Sequence, residues 1–136
     1  MDQVVRFPRV RQRAFELGQM ADSRAVVRHL ALVRHRATLA LITEDFAGQS
    51  LEHKLTAGGL DMRPLLELSV TLAEGVARLH AGGLLHRDIR PGKILFHPAL
   101  GPRFIELDRG VRLLRESERV CALDPLEGDL RYCAPE

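Results

Sequence analysis

Two aspartates frame the part of this chain that could do chemistry. Asp88 stands in a charged loop, His86-Arg87-Asp88-Ile89-Arg90-Pro91-Gly92-Lys93, and Asp108 ends the run Arg103 to Leu107. Between them lies a short β-branched and aromatic run, Ile94-Leu95-Phe96, followed by a turn from His97 to Pro102. The segment therefore reads as a loop and a hairpin with one carboxylate at each end. Phosphoryl transfer needs that layout: one Asp accepts the proton of an attacking hydroxyl, and a second holds a divalent metal on the phosphates. A loop or strand-end Asp can also do no more than cap a local turn.

The elements that must position these residues are legible in order. Arg9 to Met20 reads as a helix with Val10, Ala14, Leu17 and Ala21 on one face. Ala25 to Val33 and Thr38 to Thr43 are apolar and β-branched, joined by a hairpin turn at Arg34-His35-Arg36-Ala37. Glu44 to Gly48 is a polar exit. Ser50 is placed to cap a short helix reaching Ala57, which Gly58-Gly59 ends. Asp61 to Ala81 carries the clearest helical period, with Leu65, Leu68, Leu72, Val76 and Leu79 on one stripe and Pro64 in the first turn. Gly82 and Gly83 break this helix just before the charged loop. Gly110 to Leu130 has no period and reads as an irregular loop. The fold class is α+β, in one domain at most for 136 residues.

Composition narrows the function further. Residues 1–36 hold eight Arg against Asp2, Glu16 and Asp22, while the whole chain is only +2. A basic head can serve nucleic acid, but no aromatics interleave these arginines, so a solvated helix face is favoured and nucleic acid is not. The six His and two Cys show no paired spacing, which excludes a zinc site of the usual type. Cys121 and Cys133 suggest no disulfide framework, and no apolar run reaches transmembrane length or forms a signal peptide. The expectation is a cytoplasmic protein.

His86-Arg87-Asp88, with Arg90-Pro91 and Lys93-Ile94-Leu95, resembles the catalytic loop of protein kinases, written HRDLxxxxN. Asp108-Arg109-Gly110 sits where that family carries DFG, and Ala134-Pro135-Glu136 matches its APE, approached through Gly128-Asp129-Leu130-Arg131-Tyr132-Cys133. The resemblance, which extends upstream to about Arg9, implies a partial protein-kinase-like fold of the serine/threonine type over residues 1–136. Residues 9–46 would be a lower N-lobe remnant and hinge, and residues 47–136 the first half of the C-lobe. LALITEDFAGQSL is similar to the hinge of kinase domains fused to bacterial regulators. The implied cofactors are ATP and Mg²⁺, and the implied partner is a protein. By resemblance Asp88 is the base, Arg90 steadies the γ-phosphate and Asp108 holds the metal. Thr43 is the gatekeeper, the backbone of Glu44, Asp45 and Phe46 meets the adenine, and Lys93 and Leu95 face the nucleotide. His86, Arg87 and Glu136 are structural parts of the catalytic loop and activation segment.

The departures from the family pattern set a second expectation. Lys93 replaces the Asn that holds a second metal, and an ammonium cannot ligate Mg²⁺. It either substitutes for that charge or, in a relic loop, points into solvent. Arg109 replaces the Phe of DFG. Ala14 falls where the ion-pairing Glu belongs, and Glu16 lies on a different face. No Gly-rich phosphate loop and no VAIK-like Lys appear before the first helix, and the C-lobe helices that follow APE are not in the sequence. These features predict weak or absent phosphoryl transfer, with a pseudokinase-type interaction module as the alternative.

Overall fold

The computed structural model describes residues 3–36, 38–112 and 129–133. The first helix, α1 (Gln3–Met20), turns Ala14, Leu17 and Gly18 inward and leaves Val10 exposed. The expected face therefore begins one turn later than Val10. α1 packs on a hairpin of β1 (His29–His35) and β2 (Thr38–Thr43) and on a 3-10 turn at Leu107–Arg109. His35 pairs with Thr38, so the loop is the two residues 36–37, and Arg36 takes the left-handed conformation (φ 52°) that such short hairpins require.

β2 has the expected bounds, but the first strand does not. Ala25 to Val27 leave β1 and pair elsewhere: Phe104 N–H donates to Ala25 O at 2.8 Å, and Val27 N–H donates to Phe104 O at 3.0 Å. The cause is burial. All three side chains are enclosed, so this segment is a buried bridge between the two halves rather than one edge of a hairpin.

After the exit from β2, β3 (Gln49–Ser50) pairs with β5 (Ile94–His97), and β5 pairs with β6 (Gly101–Phe104). The turn between β5 and β6 closes with His97 opposite Gly101, whose φ of 74° needs glycine. The second strand of this hairpin was expected over 103–107. It stops at Phe104 because the chain turns to make the 3-10 turn that carries Asp108. α2 (Leu51–Thr56) follows β3, and Gly58 and Gly59 past its end have φ of 154° and 77°. Ser50 precedes α2 as expected, yet its side chain makes no capping hydrogen bond.

α3 (Met62–Ala81) follows the expected period within one residue, with Asp61 at its N-cap position and Pro64 in its first turn. Leu68 and Leu79 are buried, Leu72 and Val76 pack at the edge of the core, and Leu65 is exposed. The buried stripe thus starts at Leu68. Gly75 is where α3 meets β6: a Cβ there would lie 3.1 Å from the Phe104 ring. Phe104, 1% exposed, joins Leu17, Ala25, Leu79 and Leu107 in one cluster that spans both halves. Burial of such a ring contributes about 2–3 kcal/mol. β4 (Leu84–Leu85) leads from α3 into the charged loop and pairs with β7 (Val111–Arg112). No helix among the described residues is long and apolar enough to cross a membrane.

Candidate active site

The charged loop is held at both ends by ordinary backbone chemistry. β4 delivers His86, which is buried, and Pro91–Lys93 form a 3-10 turn that hands the chain to β5. His86 ties the loop to the Asp108 segment. Its Nε2–H donates to Ile105 O at 3.1 Å, and its Nδ1 accepts the Asp88 N–H at 3.3 Å. This pattern is that of a neutral imidazole. Burial, partly offset by the Ile105 carbonyl, pushes the His86 pKa below the ordinary histidine value. Lys93 O also accepts from Ile105 N–H at 2.9 Å, so loop and hairpin form one unit.

Within that unit every acidic group proposed by the sequence meets a cation. Arg90 Nε donates to Asp88 Oδ1 at 3.2 Å, and Arg109 Nε lies 3.9 Å from Asp88 Oδ2. The Asp88 side chain is 9% exposed. Arg90 thus points at Asp88 rather than standing free. Arg109, in the position of an expected apolar residue, directs its guanidinium at the same carboxylate and keeps Nη1 buried without a hydrogen bond among the described residues. Lys93 does not point into solvent: its side chain is 15% exposed, and Nζ is ion-paired to Glu106 Oε2. Glu106 itself sits at φ 59°, a left-handed conformation that costs a non-glycine residue of order 1–3 kcal/mol.

Asp108 is paired across elements. Arg11 Nη1, from α1, lies 3.4 Å from Asp108 Oδ2, while Asp108 Oδ1 is buried and accepts no hydrogen bond among the described residues. Ala14, one turn further along α1 on the same face, is fully buried, which brings Arg11 over the Asp108 turn. Arg11 was grouped with a solvated basic face. It is a site residue that the sequence reading missed, and the signal was its i−3 spacing from Ala14. Glu106 and His29 were missed as well.

A cavity of about 350 Å³ opens beside these groups, lined by Val27, His29, Leu41, Thr43, Leu95, Ile105, Glu106, Arg11 and the chain from Glu44 to Gly48. Thr43, Glu44, Asp45, Phe46 and Leu95 therefore line one cavity with apolar walls and a peptide edge, while Lys93 stands behind Glu106 and outside that lining. Glu44 N–H is already used by Arg28 O at 2.9 Å. Among the described residues the Glu44 carbonyl and the Phe46 amide make no hydrogen bond and remain for a ligand. The Glu44 carboxylate is structural: it accepts from Arg28 N–H at 2.9 Å and from Arg103 Nη1 at 2.9 Å, and that guanidinium stacks 4.6 Å over Phe46. Arg87 has left-handed φ of 62° at the mouth of the loop. Glu136, its neighbours Ala134 and Pro135, and most of the irregular loop after Gly110 lie outside the described residues. In that stretch Val111–Arg112 form β7, and Leu130–Tyr132 form a 3-10 turn capped by Asp129.

The site thus combines an apolar slot with a peptide edge, the loop residue Asp88 and a second Asp, Asp108, in the 3-10 turn Leu107–Arg109. Residues 10–136 match the family described as Protein kinase domain. The chain belongs to the protein kinase family, and its α+β architecture is a partial version of that fold. It is 30% identical over 129 residues to serine/threonine-protein kinase pkn2 of Myxococcus xanthus, covering 92% of this chain and 16% of that protein. It is similar to probable serine/threonine-protein kinase PkwA of Thermomonospora curvata, 37% identical over 97 residues, 71% of this chain and 13% of that protein. It also resembles serine/threonine-protein kinase PknA of Mycobacterium tuberculosis, 30% identical over 100 residues, 73% of this chain and 23% of that protein. The chain thus spans less than a quarter of the length of these relatives.

ATP and Mg²⁺ are the cofactors that the family uses. The cavity of about 350 Å³, with apolar walls and a free peptide edge, has room and donors for the base of the first. The second fits poorly. Mg²⁺ needs near-octahedral oxygen coordination, with one or two carboxylates besides phosphates and water. Here one Asp108 oxygen faces Arg11, Lys93 places an ammonium rather than an oxygen donor beside Glu106, and no group of three His, Cys, Asp or Glu converges among the described residues.

Proposed function

We propose that this chain is a nucleotide-binding, serine/threonine-kinase-like domain in which phosphoryl transfer is suppressed. It is a pseudokinase-type module whose partner is a protein. The observation that carries this reading is the state of Asp88. A general base must offer a lone pair to the hydroxyl it deprotonates, at hydrogen-bond distance. Asp88 is nearly buried, with a guanidinium on each oxygen. Arg90 donates to one oxygen and Arg109 faces the other, which narrows the route for a substrate hydroxyl.

In this reading the carbonyl of Glu44 and the amide of Phe46 take the base edge, and Val27, Leu41 and Leu95 sandwich it. Asp45 sits in the same turn, its carboxylate accepting the Ala47 N–H at 2.9 Å. His86 holds the loop in register, and Arg87 shapes its entrance through its left-handed backbone. Asp88 and Arg90 occupy the catalytic positions, and Asp108 the metal position. Glu136 would close the activation segment as in the family. The supporting facts are the family match, the cavity and the paired charges.

The test is phosphate transfer from labelled ATP to a generic Ser/Thr protein substrate, alongside nucleotide binding followed by calorimetry. The expected result is adenosine binding with transfer at the level of the Asp88→Asn variant. Transfer that is robust and lost in Asp88→Asn would overturn the reading in favour of an active enzyme.

A further inference from the structure

We infer that this site takes nucleotide phosphates without a divalent metal, with Arg11 and Lys93 as the resident cations. The inference rests on the nucleotide reading above and adds the charge carriers. In a metal-dependent site the ion bridges a protein carboxylate and the phosphates. Two side chains here already stand in that relation to a carboxylate. Arg11 faces Asp108 Oδ2 at 3.4 Å and lines the cavity, and Lys93 is paired to Glu106, which lines it too.

Neither cation is exhausted by its partner. A guanidinium has five N–H donors and an ammonium three. Arg11 shows one nitrogen to Asp108, with its side chain 40% exposed, and Lys93 shows its nitrogen to one oxygen of Glu106. A phosphate entering beside the base slot meets the remaining donors, so each cation bridges carboxylate and phosphate as a metal would. Arg11, Arg90, Lys93 and Arg109 face Asp88, Glu106 and Asp108, so each of these three carboxylates already has a cationic partner. A metal ion would instead have to displace Arg11 from Asp108 and sit beside an ammonium, where like charges repel.

The measurement is calorimetric titration of the chain with ATP in EDTA, with ATP in excess Mg²⁺, and with adenosine in both buffers. The expected result is ATP binding in EDTA at least as tight as in Mg²⁺, because chelation removes phosphate charge that the cations read. Arg11→Ala is expected to weaken metal-free ATP binding by about tenfold, the scale of one charge-assisted contact, while adenosine binding stays within about twofold. Lys93→Gln is expected to do the same, and the adenosine titration shows that each variant is folded. ATP affinity that rises by about tenfold or more on adding Mg²⁺, with adenosine still bound, overturns this inference and leaves the nucleotide reading standing. An equal loss of ATP and adenosine binding in Arg11→Ala also overturns it, since Arg11 would then act only by holding α1. If neither ligand binds the parent chain in either buffer, the nucleotide reading fails and this inference with it.

Discussion

Gly18→Ala is a mutation whose sign depends on whether α1 is seated as described. In an isolated helix the change favours folding, because glycine is about 1 kcal/mol worse than alanine in a helix interior. In this fold it is expected to destabilise. A Cβ on Gly18 would stand 1.8 Å from His29 Nδ1 and 2.3 Å from its Cγ, far inside any real contact. His29 is 2% exposed, and its carbonyl accepts a hydrogen bond from Gln19 Nε2 at 2.6 Å, so the ring has little room to retreat. Either the ring leaves its rotamer or α1 lifts off β1. Overpacking of this kind costs about 1–3 kcal/mol, and the Gln19 bond adds about 1 kcal/mol if it is lost. Because Gly18 lies near the end of α1, the propensity gain is at the low end, and the net expectation is a loss of about 1–3 kcal/mol. Urea denaturation of the parent chain and the variant reads this directly. The double variant Gly18→Ala/His29→Ala should recover at least about 1 kcal/mol relative to the sum of the single changes, since the clash needs both side chains. A Gly18→Ala protein as stable as the parent, or strictly additive single and double variants, would show that α1 does not rest on His29 in this way. The placement of Arg11 over Asp108 would then lose its support.

Two further outcomes follow from the same packing. Phe104→Ala should cost about 3–5 kcal/mol in urea denaturation, because the ring is enclosed by Gly75, by Ala25 and by His86 at 5.4 Å between ring centroids; a loss under about 1 kcal/mol would contradict that enclosure. Acidification should destabilise the fold. Burial pushes both His29 and His86 below the ordinary histidine pKa of about 6.5, so the unfolded chain takes up protons first, and stability should hold above about pH 7 and fall as the pH drops below the unfolded value; a denaturation midpoint that is flat or rises from pH 7 to 5 would refute it.

The parts of this fold that could be read from the sequence are those governed by local rules. β2 carries its own β-branched pattern and comes out with its expected bounds, and α3 follows its leucine period to within a residue. The polar stretch from His86 to Lys93 reads as a loop and is one, running from β4 through the 3-10 turn Pro91–Lys93 into β5. Apart from the bounds of β6 and the cap at Ser50, the misreadings are tertiary. Ala25–Val27 has strand composition, but which strand it joins depends on Phe104, far along the chain. Val10 and Leu65 sit on apolar stripes, yet nothing among the described residues covers them, and a period cannot report on its cover. Arg11 looks like any exposed helix arginine until the turn bearing Asp108 is brought beneath it.

The candidate site shows the same division, with a consequence for how its departures are understood. Taken one at a time, Lys93 and Arg109 look like damage to a phosphoryl-transfer motif. Together with Arg11 and Glu106 they form a set in which each acidic group has a cationic partner from a different segment: Arg109 with Asp88, Lys93 with Glu106, Arg11 with Asp108. Random loss of function would leave charges unpaired in a partly buried site, at a cost of about 1–3 kcal/mol for each unsatisfied group and more for a full charge. Glu106 adopts a strained backbone where it pairs with Lys93, and such strain persists only where the surroundings over-determine it. The pairing is therefore a coherent alternative electrostatic arrangement of the cleft. Whether those cations also read a ligand's negative charge is what the metal-free titration measures, and an activity assay alone would not measure it.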